Sequence, residues 1–263
     1  MPRHFVIGGP DGNKSHEREI WTRETLARLH EWRKPAAYAL DLHFYTWGEE
    51  SLTGRAAVFD AAQFTALLAR GLELEPVLIR QREIIDEFDP ELKLMVGEWG
   101  PWHPDANGNR FFQPVTGRDA VLAAATLDMF HRHANKLAAC TYTMLCNVLG
   151  APFQTRGGEP YVTPVYHVFA LHRGHRGGMS LACEVAGDPL LFANHPEQPT
   201  TPPISLSATQ HEAGLYVTLA NLNPAVVQSV ELVLPAPVAG AAGQVMGADD
   251  PQATNAAGRE RFA

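Results

Sequence analysis

About the first two-thirds of the chain repeats one pattern of hydrophobic and polar positions four times. A short apolar run of strand character is followed each time by a longer segment whose apolar residues recur at helical spacing, as Ile20, Leu26 and Leu29 do. This alternation predicts a parallel sheet covered by helices. The predicted strands are residues 4–9, 36–45, 93–99 and 138–150, and the predicted helices are residues 17–32, 60–88, 117–136 and 162–175.

Three features refine these predicted elements. Pro76 lies inside the long helix 60–88 and should kink or break it, because proline has no amide hydrogen and clashes with the preceding turn. Pro164 lies near the first turn of the last helix, where proline is tolerated. The run 138–150 is apolar throughout, which predicts a strand that is buried on both faces.

The pattern changes after Gly177. Short alternating segments, SLACEV, PISLSATQHEAGLYVTLANLN and SVELVLPAPV, are separated by proline, glycine and asparagine, which is typical of an antiparallel β-sandwich. We therefore predict an α/β domain over residues 1–177 and an incomplete C-terminal β-sandwich domain over residues 178–263. From about Gly240 the chain is rich in alanine and glycine, and we expect an irregular end there.

Composition excludes several classes of function. The chain is 45% hydrophobic and 19% charged, as in soluble globular proteins, and its net charge of −8 disfavours a nucleic-acid partner. No apolar run approaches the ~20 residues of a membrane span, and the N-terminus lacks the features of a signal peptide. Cys140, Cys146 and Cys183 have no metal-binding spacing, so we predict buried free thiols in a cytoplasmic protein.

The histidines do not predict a metal site. His131 and His133 lie two apart on a predicted helix and therefore point to different faces. His172 and His175 share a face but lack a third ligand. We predict no metal and no other cofactor.

A carboxylate ends the third predicted strand. In the stretch LMVGEWGPWH, Glu98 follows an apolar run and precedes Trp99 and Trp102. Ligands of parallel α/β proteins bind at the carboxyl ends of the strands, so Glu98 is a candidate site residue. A carboxylate on a rigid strand can be aimed at an anomeric carbon, and glycoside hydrolysis uses carboxyl groups in pairs. The alternative is a structural carboxylate held in an ion pair.

The neighbouring strand ends add polar and aromatic groups. The second strand ends with His43 and Tyr45, followed by Trp47, and the fourth ends near Asn147. Aromatic rings stack on the apolar faces of sugars, while histidine, tyrosine and glutamate bind hydroxyl groups. Each of these residues alone could equally be a core residue, but together they suggest a carbohydrate site.

Several blocks of the sequence resemble the α-L-arabinofuranosidases of glycoside hydrolase family 51. They are YALDLHFYTWG, IIDEFDPELKLMVGEWGPWH, GRDAVLAAATLDMFHRHANKLAACTYTMLCNVLGAPFQTRGG and YVTPVYHVFALHRGHRGG, in the family's order and spacing over roughly residues 1–178, and the tail VMGADDPQATNA is similar to the end of the family's sandwich domain.

The resemblance implies a fold and a set of residue roles. The fold is a partial (β/α)₈ TIM barrel of about four βα units, equivalent to barrel strands five to eight, followed by the β-sandwich. Glu98 corresponds to the catalytic nucleophile of a retaining mechanism. His43 and Tyr45 correspond to a pair that contacts the nucleophile and the sugar, and Trp102 to an aromatic that lines the arabinose pocket. The family needs no metal.

The sequence departs from the family in three respects. It contains no Asn-Glu dipeptide, which carries the family's acid/base glutamate, and its first strand corresponds to strand five of the barrel. A complete barrel needs about 250 residues, more than the first domain offers. Met144 stands where the family has a glutamine that binds the sugar. The sandwich lacks the strand that the family's N-terminal segment donates.

Three functions remain open at this point. The first is a retaining α-L-arabinofuranosidase, or its C-terminal part, that releases terminal arabinofuranosyl residues from arabinan, arabinoxylan and related oligosaccharides. The second is an inactive remnant that binds carbohydrate, and the third is another glycosidase activity of the same clan, such as an endoglucanase or xylosidase. Exposed strand edges also predict a partner, either a second copy or a chain that supplies the missing half barrel.

Overall fold

The centre of the molecule is a parallel sheet whose strands follow the order of the sequence, β1-β2-β3-β4. This confirms the parallel arrangement that the alternation of strands and helices predicts. The strands are β1 (Phe5–Val6), β2 (Ala39–Trp47), β3 (Lys93–Trp102) and β4 (Leu137–Tyr142). This computed structural model describes residues 5–6, 15–31, 37–104, 111–188, 190, 202–234 and 236–262.

Helices connect the strands and cover one face of the sheet. A 3₁₀ turn, Arg173–His175, continues the last helix. Most of the predicted first strand, residues 4 and 7–9, and the turn that follows it lie outside the described residues. The helices are α1 (Ser15–Glu31), α2 (Glu50–Thr53), α3 (Ala61–Leu72), α4 (Leu74–Phe88), α5 (Gly117–Arg132) and α6 (Pro164–His172).

The core lies between the sheet and these helices. Alternate residues of β2 and β3 point into it, since successive side chains of a strand face opposite sides. Trp99 belongs to this core: it is 2% exposed and packs edge-to-face on Phe130 and Tyr142. The inward-facing residues of the two strands are Leu40, Leu42, Phe44, Leu94, Val96 and Trp99.

The predicted long helix 60–88 is two helices. The chain leaves helical hydrogen bonding around Glu73, between α3 and α4, and not at Pro76. Pro76 instead occupies the first turn of α4, where a missing amide hydrogen costs nothing because the first four amides of a helix have no intrahelical partner. The prediction of a break was therefore right, and its position was wrong by one turn.

The predicted fourth strand, residues 138–150, is wrong in length and in burial. β4 ends at Tyr142, and its residues are half-buried or, at Thr141, exposed. Within the described residues β4 is an edge strand, so one of its flanks faces no neighbouring strand. The chain then turns into an antiparallel hairpin of β5 (Phe153–Arg156) and β6 (Glu159–Val162), which the sequence did not predict.

The C-terminal region contains a three-stranded antiparallel sheet, as predicted for part of it. Its order is β7 (Met179–Leu181), β8 (Ile204–His211) and β9 (Gly214–Asn221). The predicted strand at residues 229–238 is wrong, because its described residues form no strand and are mostly exposed. A strand needs a neighbour for its backbone groups, and the described part of the chain offers none to this segment.

The two sheets meet across α5 and α6. Asp128 of α5 is buried and accepts hydrogen bonds from Ser205 Oγ at 2.6 Å and Thr218 Oγ1 at 3.1 Å. His172 Nε2 lies 3.3 Å from the same carboxylate. Burial alone would raise the pKa of Asp128, but the His172 and serine hydrogen bonds hold it below its ordinary value. The small sheet is thus attached to the helices by a polar contact.

The three cysteines differ in their exposure to solvent. Cys146 is exposed, so the prediction that all three thiols are buried was wrong for this residue, while Cys140 and Cys183 are half-buried. Burial raises the pKa of the Cys140 thiol to about 12, which leaves it protonated and unreactive.

Among the described helices, none is long and apolar enough to cross a bilayer.

Candidate active site

The candidate site lies on the face of β2 and β3 that is opposite the helices. The two strands pair so that His43 lies beside Glu98, Tyr45 beside Gly100 and Trp47 beside Trp102. The register shifts by one residue between Leu42 and His43 of β2.

This shift, a β-bulge at Gly97, aims Glu98 at the site. Val96 points into the core, and in a regular strand the residue two positions later would point there too. The extra residue reverses the alternation, so that Glu98 shares a face with His43. Glycine is required at position 97, since a Cβ there would collide with the Asp41 carboxylate.

Glu98 is accessible and held by its neighbours. Its side chain is 42% exposed, and Oε2 accepts a hydrogen bond from Tyr45 Oη at 2.6 Å. His43 Nδ1 lies 3.6 Å from the same oxygen, within ion-pairing range but too far for a hydrogen bond. No lysine or arginine among the described residues forms an ion pair with Glu98, and its carboxylate stays open to a ligand.

Asp41 is the residue of this group that sequence reasoning missed. Its carboxylate is buried, with 1% of the side chain exposed, and its Oδ2 lies 3.0 Å from His43 Nε2. Its Oδ1 accepts a hydrogen bond from the Gly97 amide at 2.9 Å. The sequence does contain a signal for this residue. Asp41 is a charged residue in a mostly apolar strand, and it lies two positions before His43, on the same face.

Aromatic rings form a wall beside the carboxylate. Trp47 and Trp102 stack with ring centroids 4.5 Å apart and an interplanar angle of 19°. Tyr45 meets Trp102 edge-on at 5.1 Å, and Phe111 lies 5.7 Å from Trp102 on another side. Rings in such a wall present the flat apolar surface on which a sugar stacks.

A buried polar network holds the segment that follows Trp102. His103 Nε2 lies 2.7 Å from Asp119 Oδ1, and the Thr116 amide donates to Asp119 Oδ2 at 2.8 Å at the start of α5. Burial would raise the pKa of Asp119, but the charge and hydrogen bond of His103 hold it below its ordinary value. Arg118 adds hydrogen bonds to the carbonyls of Thr53 and Arg55, so the network also fixes the segment after α2.

The structure brings five of the six predicted site residues together. Glu98, His43, Tyr45, Trp47 and Trp102 share one face of adjacent strands.

Asn147, the sixth predicted site residue, makes its side-chain hydrogen bonds with a residue outside this group. Its side chain donates to Thr155 Oγ1 at 2.9 Å and accepts from the Thr155 amide at 2.7 Å, within the turn that leads into β5. Met144, at the predicted glutamine position, is 47% exposed. In the described part of the chain, no cluster of three or more histidine, cysteine, aspartate or glutamate side chains is arranged for a metal.

Comparison with known proteins identifies what the chain is similar to. It is 28% identical to an intracellular exo-alpha-L-arabinofuranosidase of Bacteroides ovatus over 74% of this chain and 39% of that protein. Its fold matches the GH51 arabinofuranosidase of Xanthomonas axonopodis pv. citri with a TM-score of 0.77 at 24% identity, over 95% of this chain and 50% of that one. The family 51 alpha-L-arabinofuranosidase AbfB of Bifidobacterium longum matches with a TM-score of 0.74 at 17% identity, over 97% of this chain and 52% of that one.

The chain therefore spans about half the length of the solved structures that it matches, and less of the curated relative. The model of the alpha-L-arabinofuranosidase C-terminal domain matches residues 97–261, which is more than half of the chain. The protein therefore belongs to the alpha-L-arabinofuranosidase C-terminal domain family, and its fold is similar to about half of each GH51 arabinofuranosidase that it matches.

Proposed function

We propose that the chain is the C-terminal part of a retaining α-L-arabinofuranosidase in which Glu98 is the nucleophile. The observation that carries this proposal is the geometry of Glu98: an exposed carboxylate in the C-terminal half of β3, oriented by Tyr45 Oη at 2.6 Å and close to the stacked tryptophans. In a retaining mechanism such a carboxylate attacks the anomeric carbon and forms a covalent glycosyl-enzyme that water later hydrolyses.

The proposed architecture is half of a (β/α)₈ barrel with an incomplete β-sandwich behind it. The sequential parallel strands β1 to β4 support four βα units over residues 1–177, and the antiparallel strands β7 to β9 support the sandwich over residues 178–263. The site residues then lie from the middle to the carboxyl ends of β2 and β3, on the side of the sheet where barrel enzymes bind their substrates.

The other residues have supporting roles in this proposal. Tyr45 orients Glu98, and His43 faces the same carboxylate oxygen. Trp47 and Trp102 present their rings to the sugar, which the stacking of the pair supports. Asn147 keeps its predicted role as a substrate ligand, although its amide now bonds Thr155 and would have to exchange that bond for a sugar hydroxyl.

The proposed substrate is a terminal arabinofuranosyl residue of an oligosaccharide. The proposed location is the cytoplasm, because the similar Bacteroides ovatus protein is an intracellular exo-alpha-L-arabinofuranosidase. The sequence has no Asn-Glu motif for an acid/base. A poor leaving group needs protonation, and loss of general acid catalysis costs roughly 10²–10⁴-fold in rate. We therefore propose that a partner segment or chain carrying the other half barrel supplies the acid/base, whereas a second copy of this chain would cover the exposed strand edges without supplying that motif. Without it, hydrolysis of natural oligosaccharides should be weak.

A covalent trapping experiment tests the nucleophile without needing a general acid. We expect the purified chain to react with an activated aryl 2-deoxy-2-fluoro-α-L-arabinofuranoside and gain one fluoroarabinosyl group by intact mass, mapped to Glu98. Glu98→Gln should gain none, whereas Glu91→Gln, at an exposed glutamate outside the site, should react like the parent. A label at another residue, or equal labelling of Glu98→Gln, would refute the assignment.

Two alternatives predict different results in the same experiment. Met144 and the missing Asn-Glu motif favour an inactive remnant that only binds carbohydrate. Such a remnant would bind arabino-oligosaccharides in calorimetry yet remain unlabelled. Another glycosidase activity would appear as faster labelling by the corresponding fluoroxyloside or fluoroglucoside than by the arabinofuranoside.

A further inference from the structure

The buried carboxylate of Asp41 has no role in the function proposed above, yet it is placed beneath the site. It contacts both strands that carry the site, through His43 Nε2 at 3.0 Å on β2 and the Gly97 amide at 2.9 Å on β3. With 1% of its side chain exposed, it is far less accessible than Glu98 at 42%. His43 therefore lies between two carboxylates, one buried and one open.

The chemistry of the three groups limits where the imidazole proton can be. An ionised carboxylate only accepts hydrogen bonds, so the nitrogen that faces Asp41 must carry a hydrogen. The opposite tautomer would direct the Nε2 lone pair at the Asp41 carboxylate, a repulsive contact at 3.0 Å. In the neutral ring Nδ1 is then the unprotonated nitrogen. Its lone pair faces Glu98 Oε2 at 3.6 Å, a longer and weaker repulsive contact than the 3.0 Å contact that the opposite tautomer would make with Asp41.

We propose that Asp41 is a positioning residue that keeps the proton of neutral His43 on Nε2 and holds Nδ1 towards Glu98. It acts through His43 and touches neither sugar nor anomeric carbon. Its bond to the Gly97 amide also fixes the bulge that turns Glu98 to this face. The catalytic consequence rests on the proposed function of Glu98, but the tautomer does not.

Nitrogen-15 long-range correlation spectra of the full chain, recorded where the histidines are neutral, test the tautomer directly. The signal of His43 is identified by its loss in His43→Gln. We expect a protonated Nε2 and an unprotonated Nδ1. In Asp41→Asn the amide oxygen can still accept from Gly97, while the amide nitrogen faces Nε2 as a donor, so the proton should move to Nδ1. A parent His43 protonated on Nδ1 would overturn the proposal, even if Asp41→Asn failed to fold.

A double-mutant cycle tests whether Asp41 acts through His43. Asp41→Asn should slow labelling by the fluoroarabinofuranoside roughly 10- to 100-fold, with little change in the concentration needed for half-maximal rate. In a His43→Ala background the same substitution should slow labelling less than about 3-fold. The effects of groups that do not interact add to within roughly this margin, so a smaller loss in this background shows that Asp41 acts through His43. Glu75→Gln, at the carboxylate–imidazole pair with His133, is the matched control and should keep the parent rate.

An equal loss with and without His43 would overturn the proposed route through the imidazole. If the parent chain is not labelled by any reagent, the proposed function fails, and the nitrogen spectra still decide the role of Asp41.

Discussion

The side chain of Tyr45 illustrates how one hydrogen bond orients a carboxylate in the candidate site. Tyr45 as a whole is 5% exposed, and its hydroxyl reaches the exposed Glu98. The buried ring fixes the hydroxyl, and the hydroxyl in turn restricts Oε2 of Glu98. Tyrosine thus links the rigid core of the sheet to an acid that must remain open to a ligand.

Removing this hydroxyl should affect reactivity more than stability. Hydrogen bonds to charged groups contribute about 1.5–3 kcal/mol, so Tyr45→Phe should slow covalent labelling of Glu98 roughly 10- to 100-fold. The melting temperature should change little, because the ring and its packing remain. Labelling rates followed by mass spectrometry measure the effect. The control is Tyr216→Phe in β9, which removes a hydroxyl that donates to the Leu171 carbonyl of α6. A similar slowing in that variant would contradict a specific role for Tyr45.

At this scale the sequence predicted the members of the site better than their geometry. Glu98, His43 and Tyr45 were predictable because period-two alternation and the ends of parallel strands place them together. Gly97 could not be recognised as a bulge, since an extra residue in a strand is visible only in its pairing with the neighbour. Trp99, the residue after Glu98 along the strand, faces the core because successive side chains alternate after the bulge.

Among the elements, α5 connects the site to the rest of the fold. Its first residues bind the segment after Trp102 through Asp119, and its later residues bind the antiparallel sheet through Asp128. Its capping box of Thr116 and Asp119 is buried, whereas that of α3, formed by Asp60 and Gln63, is exposed. Both caps are capping boxes, but one lies in the protein interior and the other lies in solvent.

This difference predicts unequal effects of the same substitution. Asp119→Asn leaves His103 beside a neutral, fully buried partner and should lower the free energy of unfolding by about 3 kcal/mol. Asp60→Asn should change it by less than about 0.5 kcal/mol, since asparagine is an equally good N-cap in water. Urea denaturation of both variants measures the two values. Similar losses would show that burial of the cap contributes nothing.

The elements that the sequence mispredicted share one physical cause. Residues 138–150 and 229–238 both have the composition of strands, but a strand forms only where another strand pairs with it. β4 ends at Tyr142, and the described residues of 229–238 run without strand partners. The local sequence indicates whether a segment favours the strand conformation. Whether another strand lies beside that segment depends on the fold of the whole molecule.

For the whole molecule, the contact between helices and the antiparallel sheet is a cluster of histidines. His131, His172 and His175 lie with ring centroids 4.4 to 6.4 Å apart, and His175 binds Thr209 Oγ1 at 3.0 Å and Thr218 Oγ1 at 2.9 Å. The sequence indicated that two of these histidines share a helix face. It did not indicate that a sheet would bury them together.

This cluster should make the stability of the whole molecule depend on pH. Burial, together with the nearby His131 and His172, lowers the pKa of His175 to about 4 from an ordinary 6.5. Burial also lowers the pKa of His131. The charged groups that act on the pKa of His175 are His131 and Asp128 of α5, His172 of α6 and His211 of β8, and among them only the carboxylate opposes the shift.

The direction in which stability changes with pH depends on whether the folded or the unfolded chain binds the proton of His175 more readily. Above pH 6.5 His175 is neutral in both states and contributes nothing. Between pH 6.5 and about 4 the unfolded chain takes up the proton while the folded chain resists it, so the folded state loses stability as the pH falls. The pKa of Asp128 is held low instead, and its contribution is lost only below the ordinary range of an aspartate.

We therefore expect the free energy of unfolding to fall by about 2 kcal/mol across the pH 6.5 to 4 interval, with further loss from His131. His175→Gln keeps a polar partner for the two threonines without the titrating ring, so its stability should depend less steeply on pH in that interval. His30→Gln, at an exposed histidine of α1, should retain the parent slope. Urea denaturation at several pH values measures all three proteins. If the free energy of unfolding of the parent protein does not change across the interval, the prediction is wrong. The histidine cluster would then be reached by water, or the sheet would separate from the helices, before the imidazoles are protonated.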